Sequence, residues 1–267
     1  GSPAQTEASA TTKALLVGWS RSFLPEDAGF AAKIEASAAI PALPTGLQLY
    51  NDSDYAIFRP GTAMVSLKTA STRVLIGEYL NLENKRGRHL ASGVTWITTG
   101  SEYRAANVVP TLDHARLPGT TVENGVSLTA SATWNYVPGL RSFVAAATTG
   151  TIGASAMDFQ SRANSSDSNL VAKKSWFFFA DSVVALGTGI TSTVSRSVET
   201  TVNQRPLSTL TADISVNGTL MSTAATNGTA FANTSWVHAA NIGYVFPAPS
   251  TVKIKRQNQT GKWSDLG

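Results

Sequence analysis

The sequence predicts an all-β body, and three observations favour this fold class. Charged residues make up only 14% of the chain, so the abundant Ser and Thr supply most of the polar surface. From about Gln48 onward, short runs rich in Val, Thr, Ile and aromatic residues alternate with turn signals. Helical periodicity disappears over the same part of the chain. Many short strands in this arrangement are typical of a β-sandwich or a barrel.

A short helical segment is predicted before the first strand. Residues 1–12 are small and polar, which is typical of a loose tail. Lys13–Leu24 then places apolar side chains at helical spacing, and a second short helix is expected over Ala28–Ser37. Two prolines follow and form a stiff connector. We therefore expect residues 1–46 to precede a β domain that covers residues 47–267.

Pairs of turn residues divide the β domain into strands. The clearest hairpin is predicted at Asn217-Gly218, because a type I′ turn needs positive φ at both central residues. The polar stretch Ser161–Asn169 is interpreted as a surface loop. The other predicted turns are Asn51-Asp52, Pro60-Gly61, Pro118-Gly119, Asn124-Gly125, Pro138-Gly139 and Asn227-Gly228.

The charge balance and the cysteine count narrow the classes of partner. A net charge of +4 and a pI near 9.4 give a mild basic surplus, which suits an anionic polysaccharide. The two basic clusters, Lys85–Arg88 and Lys253–Arg256, lie outside any nucleic-acid-binding signature, so no nucleic-acid partner is predicted. No apolar run approaches the roughly 20 residues that span a bilayer, so no membrane partner is predicted. The absence of cysteine excludes disulfides and thiolate chemistry.

The motifs predict neither a metal site nor a cofactor. The three histidines, His89, His114 and His238, show no metal-ligand spacing. The nucleophile elbow G-x-S-x-G is missing from the sequence. Gly187-Thr-Gly189 follows a strand-like run but lacks the third glycine of a phosphate-binding loop.

Aromatic residues are interpreted mainly as core. Trp176–Phe179 places four consecutive aromatic side chains on one predicted strand, where they point alternately to opposite faces. Core packing is favoured over sugar stacking, because buried strands commonly read as continuous apolar runs. Trp134, Trp236 and Trp263 are likewise interpreted as core or edge-packing residues.

One polar segment is a candidate site. Asn81–His89 concentrates charged groups between two predicted strands, a pattern that usually marks only a solvated loop. The other interpretation is a functional site in which hydrogen bonds hold Glu83, which is flanked by two asparagines and three cations. The candidate site residues are therefore Glu83 with Asn81, Asn84, Arg86 and Arg88.

Several motifs follow one another along the β domain. Asn81–Asn84 reads N-L-E-N, Arg116–Val122 reads R-L-P-G-T-T-V and Lys174–Phe179 reads K-S-W-F-F-F. The others are A-L-G-T-G-I at 185–190, E-T-T-V-N-Q-R at 199–205, W-V-H at 236–238 and I-G-Y at 242–244. Together, from about residue 47 to residue 263, they resemble polysaccharide lyase family 8, the group of bacterial hyaluronate, chondroitin AC and xanthan lyases. Leu82 replaces the glycine of the family's N-G-E-N loop.

This resemblance implies a large antiparallel β super-sandwich. Family members carry an N-terminal helical toroid, a central super-sandwich and a smaller C-terminal β domain. Residues 1–46 would then be a tail, the end of the toroid and a linker, and residues 47–267 the central domain, with the C-terminal domain absent or incomplete. One departure is Phe58–Thr62, which stands where relatives carry H-R-R-P-x-W.

The resemblance also implies a reaction, β-elimination at a uronic acid, that needs no metal or other cofactor. The family's catalytic Asn, His, Tyr and Arg lie in the toroid, so the expected partners are an anionic polysaccharide and the missing helical catalytic domain. By similarity, Glu83 would reach across the cleft to orient the toroid's His and Arg, and Asn81 and Asn84 would fix the loop. Arg86 and Arg88 are candidates to attract the polymer, although ordinary solvated arginines are the other interpretation.

We therefore expect the parent to be a secreted bacterial lyase. Hyaluronan is the first expected substrate and chondroitin the next. The chain alone is expected to be inactive, since the base and the acid would belong to the toroid. The alternative function is a non-catalytic carbohydrate-binding or scaffolding β-sandwich.

Overall fold

A computed structural model describes most of the predicted β domain. The described residues are 44–61, 63–77, 84–100, 103, 108–126, 128, 137–161, 169–207, 209 and 211–267. The chain divides into two units, Gly1–Pro44 and Thr45–Gly267, and the second is described below. The predicted helices over Lys13–Leu24 and Ala28–Ser37 lie outside the described residues.

The first sheet holds four antiparallel strands in sequential order. They are β1 (Gly46–Tyr50), β2 (Tyr55–Arg59), β3 (Met64–Lys68) and β4 (Val94–Thr98). The turn between β1 and β2 is a 3-10 helix over Asn51–Ser53 that ends at Asp54, whose φ is 48°. The buried Asp54 carboxylate accepts hydrogen bonds from Ser71 N (2.7 Å) and Ser71 Oγ (2.6 Å), and it pairs with Arg73. This carboxylate therefore joins the β1–β2 turn to the chain that follows β3.

The second sheet is also antiparallel and sequential. It contains β6 (Val144–Thr148), β7 (Gly153–Gln160), β8 (Val171–Phe178) and β9 (Val183–Thr191). Along β8, Lys174, Trp176 and Phe178 are buried, whereas Lys173 and Phe177 are exposed, as the period of two requires. The core prediction for the aromatic run is thus confirmed for Trp176 and Phe178 and is wrong for Phe177 and Phe179, which are 37% and 46% exposed.

The main hydrophobic core lies between these two sheets. The Phe58 and Phe178 rings pack with their centroids 5.5 Å apart. The fully buried residues around them come from both sheets and from the segment before β8: Leu47, Leu67, Met157, Leu170 and Trp176. This is the packing of two facing sheets, and it confirms the all-β prediction.

Two further groups of strands complete the described domain. A short antiparallel pair joins β5 (Thr121–Glu123) to β10 (Val198–Thr200). The last sheet has the order β12-β11-β13-β14, with β11 at Ile214–Val216, β12 at Thr219–Leu220, β13 at Asn227–Ala239 and β14 at Ile242–Lys255. Its own small core is built around Ile214, Val216 and Val237.

The predicted turns in this last sheet had different outcomes. Asn217-Gly218 joins β11 to β12 with φ of 47° and 86°, which confirms the hairpin prediction. The turn predicted at Asn227-Gly228 is wrong, because both residues lie within β13. Gly228, at φ 85°, lies where the register shifts between Asn227 and Thr229, so the glycine serves a β-bulge.

A buried arginine closes the end of this sheet. Arg256 is 5% exposed and donates to Thr226 Oγ1 (2.9 Å), Met221 O (3.1 Å) and Ala212 O. Thr226 itself is fully buried at the end of a 3-10 helix over Ala224–Thr226. The guanidinium thus satisfies three acceptors from three separate segments.

The described helices are all short. One α-helix, α1, covers Val108–Thr111, and further 3-10 helices cover Gly87–His89 and Trp263–Asp265. Within the described ranges, none of these helices has the length and apolar character needed to traverse a bilayer.

Candidate functional site

The predicted site segment is only partly described. Asn81 and Glu83 lie outside the described residues. Asn84, Arg86 and Arg88 are described, and they lie between Gly77 and β4. The described part of the segment begins at Asn84.

Backbone contacts fix the start of this segment. Asn84 adopts φ 51°, a left-handed conformation that Asn tolerates better than most residues, and its carbonyl accepts the Gly87 N–H at 3.0 Å. Lys85 N donates to Leu266 O at 2.6 Å, which ties the loop to the last residues of the chain. A side-chain carbon at Gly77 would lie 2.4 Å from Gly87 O. The backbones at these two positions therefore approach too closely for any residue but glycine at position 77.

The two predicted arginines have different environments. Arg86 is half-buried, and it lies close enough to His114 to influence the pKa of that imidazole. Arg88 is only 5% exposed in the 3-10 helix Gly87–His89, so its side chain is largely withdrawn from solvent. The predicted roles of both arginines toward an anionic polymer stay predictions.

Two buried histidines lie beside these arginines. The pKa of His89 is lowered to about 4, mainly by burial and also by the charge of Arg88, while Asp113 acts in the opposite direction. Burial also lowers the pKa of His114, whose Nε2 lies 3.0 Å from Val109 O. Its Nδ1 is buried without a hydrogen-bond partner among the described residues. Both rings are therefore neutral at neutral pH, and they add buried polar groups next to Arg86 and Arg88.

The described groups around these histidines bear on metal binding. Within the part of the chain that the structure describes, no three His, Asp or Glu side chains come together as metal ligands. Asp113 and Glu199 instead pair with Arg116.

An arginine junction joins α1, β5 and β10 next to the histidines. Arg116 donates to Asp113 (3.1 Å), Glu199 (3.1 Å) and Asn124 (2.5 Å). Although burial lowers the pKa of Arg116, the hydrogen bonds to Glu199 and Asp113 raise it overall. Hydrogen bonding to Asn124, and then to Arg116, lowers the pKa of Glu199. The junction is thus charged on both sides over a wide pH range.

A glutamine completes this junction. The Gln204 side chain accepts from Asp113 N (2.6 Å) and donates to Asp113 O (3.2 Å) and Arg116 O (3.1 Å). Its backbone carbonyl accepts the Tyr103 hydroxyl at 2.7 Å. One amide therefore holds the segment after β10 against the segment before β5.

Comparison with known proteins identifies this arrangement of strands. Residues 45–267 match the family model described as polysaccharide lyase family 8, super-sandwich domain. The chain belongs to polysaccharide lyase family 8. This membership confirms both the family resemblance and the super-sandwich fold predicted from the sequence.

The match covers most of this chain but only part of each relative. The chain is 36% identical to a xanthan lyase of Bacillus sp. (strain GL1), over 87% of this chain and 25% of the relative. It is 33% identical to a hyaluronate lyase of Thermasporomyces composti, over 84% of this chain and 28% of the relative. The chain therefore spans about a quarter of the length of these two curated relatives.

A solved structure shows the same fold. The xanthan lyase of Paenibacillus superposes on 89% of this chain with a TM-score of 0.76 and 29% sequence identity. The match covers 23% of the Paenibacillus chain. The described sheets are thus those of a family 8 super-sandwich.

The family 8 motifs build the framework beside the loop. Arg116–Val122 contributes the junction arginine and β5, and the motif at 199–205 contributes its partners Glu199 and Gln204. Across the β5–β10 pair, Thr121 and Thr200 share a hydrogen bond of 2.9 Å between their hydroxyls. These motifs therefore carry structural contacts around the candidate site.

The motif lysine of β8 is a third structural contact. Lys174 is 7% exposed, lies 5.4 Å from the centroid of the Trp176 ring and donates to Gly119 O. Burial lowers the pKa of its amine to about 7. The lysine connects β8 to the turn that precedes β5.

Sequence reasoning did not predict which polar groups from other segments lie beside the loop. Asp113, His89, His114 and Gln204 come together from segments far apart in the sequence, so no local spacing reveals them. Trp236 and Trp263 are interpreted from the sequence as core or edge-packing residues. Trp236 is 38% and Trp263 is 54% exposed, so neither is a core residue. Trp134 lies outside the described residues.

Proposed function

We propose that the parent of this chain is a secreted bacterial lyase that cleaves a uronic-acid-containing glycosaminoglycan by β-elimination. Hyaluronan is the first proposed substrate and chondroitin the next. The observation that carries the proposal is the family 8 match over residues 45–267, together with relatives whose names are xanthan lyase and hyaluronate lyase. A polymeric substrate supports the proposed location of the parent outside the cell.

The proposed reaction breaks the C5–H and C4–O bonds, forms the C4–C5 double bond and delivers one proton to the leaving oxygen. A base removes the C5 proton of the uronate, and the electron pair forms the C4–C5 double bond while the C4–O bond breaks. An acid protonates the departing oxygen, and hydrogen-bond donors stabilise the charge that develops on the carboxylate. The site therefore needs a base, an acid and a neutralising group close to one sugar ring.

The described groups nearest the loop support a helper role for this chain. His89 and His114 are buried, the Tyr103 hydroxyl donates to Gln204 O, and the Tyr244 hydroxyl accepts from the Asn203 amide. Because these histidines are buried and these hydroxyls already have hydrogen-bond partners, we expect the base and the acid to come from the helical domain of the parent. The chain alone is then inactive.

In this proposal Glu83 reaches from the sandwich and orients the His and Arg of the helical domain. The support is the anchoring of the next residues: Asn84 O accepts Gly87 N, and Lys85 N donates to Leu266 O. A carboxylate next to such fixed backbone loses little conformational freedom when it binds a partner. Asn81 and Asn84 fix the loop, and Arg86 attracts the anionic polymer.

The test is elimination by the parent protein, followed by the ultraviolet absorbance of the unsaturated uronate. Glu83→Gln should lower kcat by about 10- to 100-fold, as loss of an orienting partner does, and should shift the pH profile of kcat. Asp181→Asn, in the exposed β8–β9 turn, is the matched carboxylate control and should leave both unchanged. A panel of hyaluronan, chondroitin and xanthan identifies the substrate.

Two results would contradict the proposal. Robust product formation by the 267-residue chain alone would show that it holds its own base and acid. Full kcat and an unshifted pH profile in Glu83→Gln would remove the orienting role of that carboxylate.

A further inference from the structure

The outer face of the last sheet exposes an aromatic and apolar surface. Trp236 on β13 pairs directly with Val245 on β14, and the next pair on the same face is His238 with Gly243. Trp236 is 38% and Val245 73% exposed, whereas Val237, which alternates with them, is buried in the small core. We call the surface of Trp236, His238, Gly243 and Val245 the Trp236 face.

The β11–β12 turn holds Trp236 in place. Asn217 Oδ1 accepts from Ser235 N (2.9 Å) and Trp236 N (3.1 Å), and Asn217 Nδ2 donates to Asn233 O (3.1 Å). Asn217 N also donates to Trp236 O at 3.1 Å. The backbone that carries the indole is thus fixed before any ligand arrives, which lowers the entropy lost on binding.

Two glycines leave room above this surface. A side-chain carbon at Gly218 would lie 3.8 Å from Cζ2 of Trp236, so the turn touches the edge of the indole without covering its ring. A side-chain carbon at Gly243 would meet nothing within 4 Å. The result is a flat, open place beside an exposed indole.

The strands that carry the Trp236 face contain cations and no carboxylate. The segment 214–264 contains no Asp or Glu, although it contains lysines at 253, 255 and 262. Lys253 and Lys255 are exposed on β14 and alternate with Val252 and Ile254, which pack on the small core. They therefore point to the same side of the sheet as Val245. Lys253 also lies within electrostatic range of Glu199, so Lys255 is the less compensated cation.

We propose that the Trp236 face binds an anionic polysaccharide, with one pyranose ring stacked on the Trp236 indole and acidic groups of the polymer paired with Lys253 and Lys255. A pyranose presents an apolar C–H face that matches a flat indole, and its hydroxyls remain free for water. Lysines on strands that contain no Asp or Glu favour an anionic polymer over a neutral one. The identity of the polymer rests on the proposed function, whereas the surface itself does not.

The experiment measures binding by the 267-residue chain to three probes: hyaluronan oligosaccharides, xanthan oligosaccharides and neutral dextran. Titration calorimetry gives the affinity, and tryptophan fluorescence reports contact with an indole. Trp236→Ala should weaken binding of the anionic probe about tenfold, and Trp236→Phe should restore part of it. Lys253→Ala with Lys255→Ala should weaken anionic binding and its salt dependence. Trp263→Phe, at another exposed tryptophan, is the matched control and should bind as the unaltered chain does.

The outcomes separate this proposal from the proposed function. Trp236-dependent binding of xanthan but not of hyaluronan supports the surface and revises the substrate. No binding of any probe, or equal binding by Trp236→Ala, overturns the surface and leaves the elimination assay on Glu83 untouched. Self-association that Trp236→Ala abolishes, or loss of Trp236-dependent binding in a longer natural form of the chain, shows another occupant of the face and also overturns the proposal. A thermal melt of each variant confirms that it is folded.

Discussion

The buried amine of Lys174 makes a sharp prediction about stability and pH. Lys174 packs beside Trp176 and donates to Gly119 O, and burial lowers its pKa from 10.5 to about 7. In the unfolded chain the same amine is solvated and has an ordinary pKa. Between about pH 7 and pH 10.5 the unfolded chain therefore binds more protons than the folded chain. Stability should rise with pH across that window, because the folded state favours the neutral amine.

The size of the effect follows from the two pKa values. The difference between 10.5 and about 7 corresponds to about 5 kcal/mol between the two protonation states. Only part of it falls within a convenient range, since the unfolded amine is still mostly protonated at pH 9. Between pH 6 and pH 9 the free energy of unfolding should rise by about 3 kcal/mol from this residue alone.

The assay is urea unfolding of the unaltered chain and of Lys174→Met at several values from pH 6 to pH 9. Methionine keeps most of the side-chain volume and cannot titrate, so effects of all other groups cancel in the difference between the two proteins. We expect the unaltered chain to gain about 3 kcal/mol relative to Lys174→Met across this range. Parallel pH curves for the two proteins would refute the reasoning, because they would mean that Lys174 titrates alike in both states.

Three further substitutions test the contacts that hold the domain together. Arg256→Ala should lower the free energy of unfolding by about 3 kcal/mol in urea, because the buried Thr226 hydroxyl and two part-buried carbonyls lose their donor, whereas exposed Lys255→Ala should change it by less than about 0.5 kcal/mol. Asp54→Ala should cost about 3 kcal/mol by the same measurement, since the buried Ser71 N–H and hydroxyl lose their acceptor, and an unchanged midpoint would contradict this. Gly218→Ala should lower the melting temperature by the equivalent of about 1 kcal/mol, because alanine is strained at φ 86°, and a higher melting temperature would rule out the strain.

The fold class was predictable because it depends on composition and period. A low charged fraction and frequent turn pairs indicate many short strands, and the alternation along β8 places Trp176 inward and Phe177 outward as a period of two requires. Asn217-Gly218 was predictable because the turn chemistry is local. Gly228 was misread because the same positive φ serves a bulge, and only the partner strand distinguishes the two.

The surroundings of the site were much less predictable. The described part of the loop lies close to Asp113 and His114, which come about 30 residues later in the chain. Nothing in a local pattern shows that Arg88 is withdrawn from solvent while Lys85 is exposed. The same holds for Lys253–Arg256, where strand alternation leaves two lysines exposed and the chain end of β14 buries the arginine.

The unpredicted contacts all join segments that are far apart in the sequence. The same is true of the contacts made by residues of the family 8 motifs. Arg116, Glu199, Gln204 and Lys174 lie in the motif segments, yet each makes contacts with the protein's own backbone or side chains. Residues of this kind hold neighbouring segments of the domain together. A change at Arg116 should therefore lower stability and the proposed elimination rate together, while leaving the preference between hyaluronan and chondroitin unchanged. Changes that alter the preference should fall instead on groups that touch the sugar.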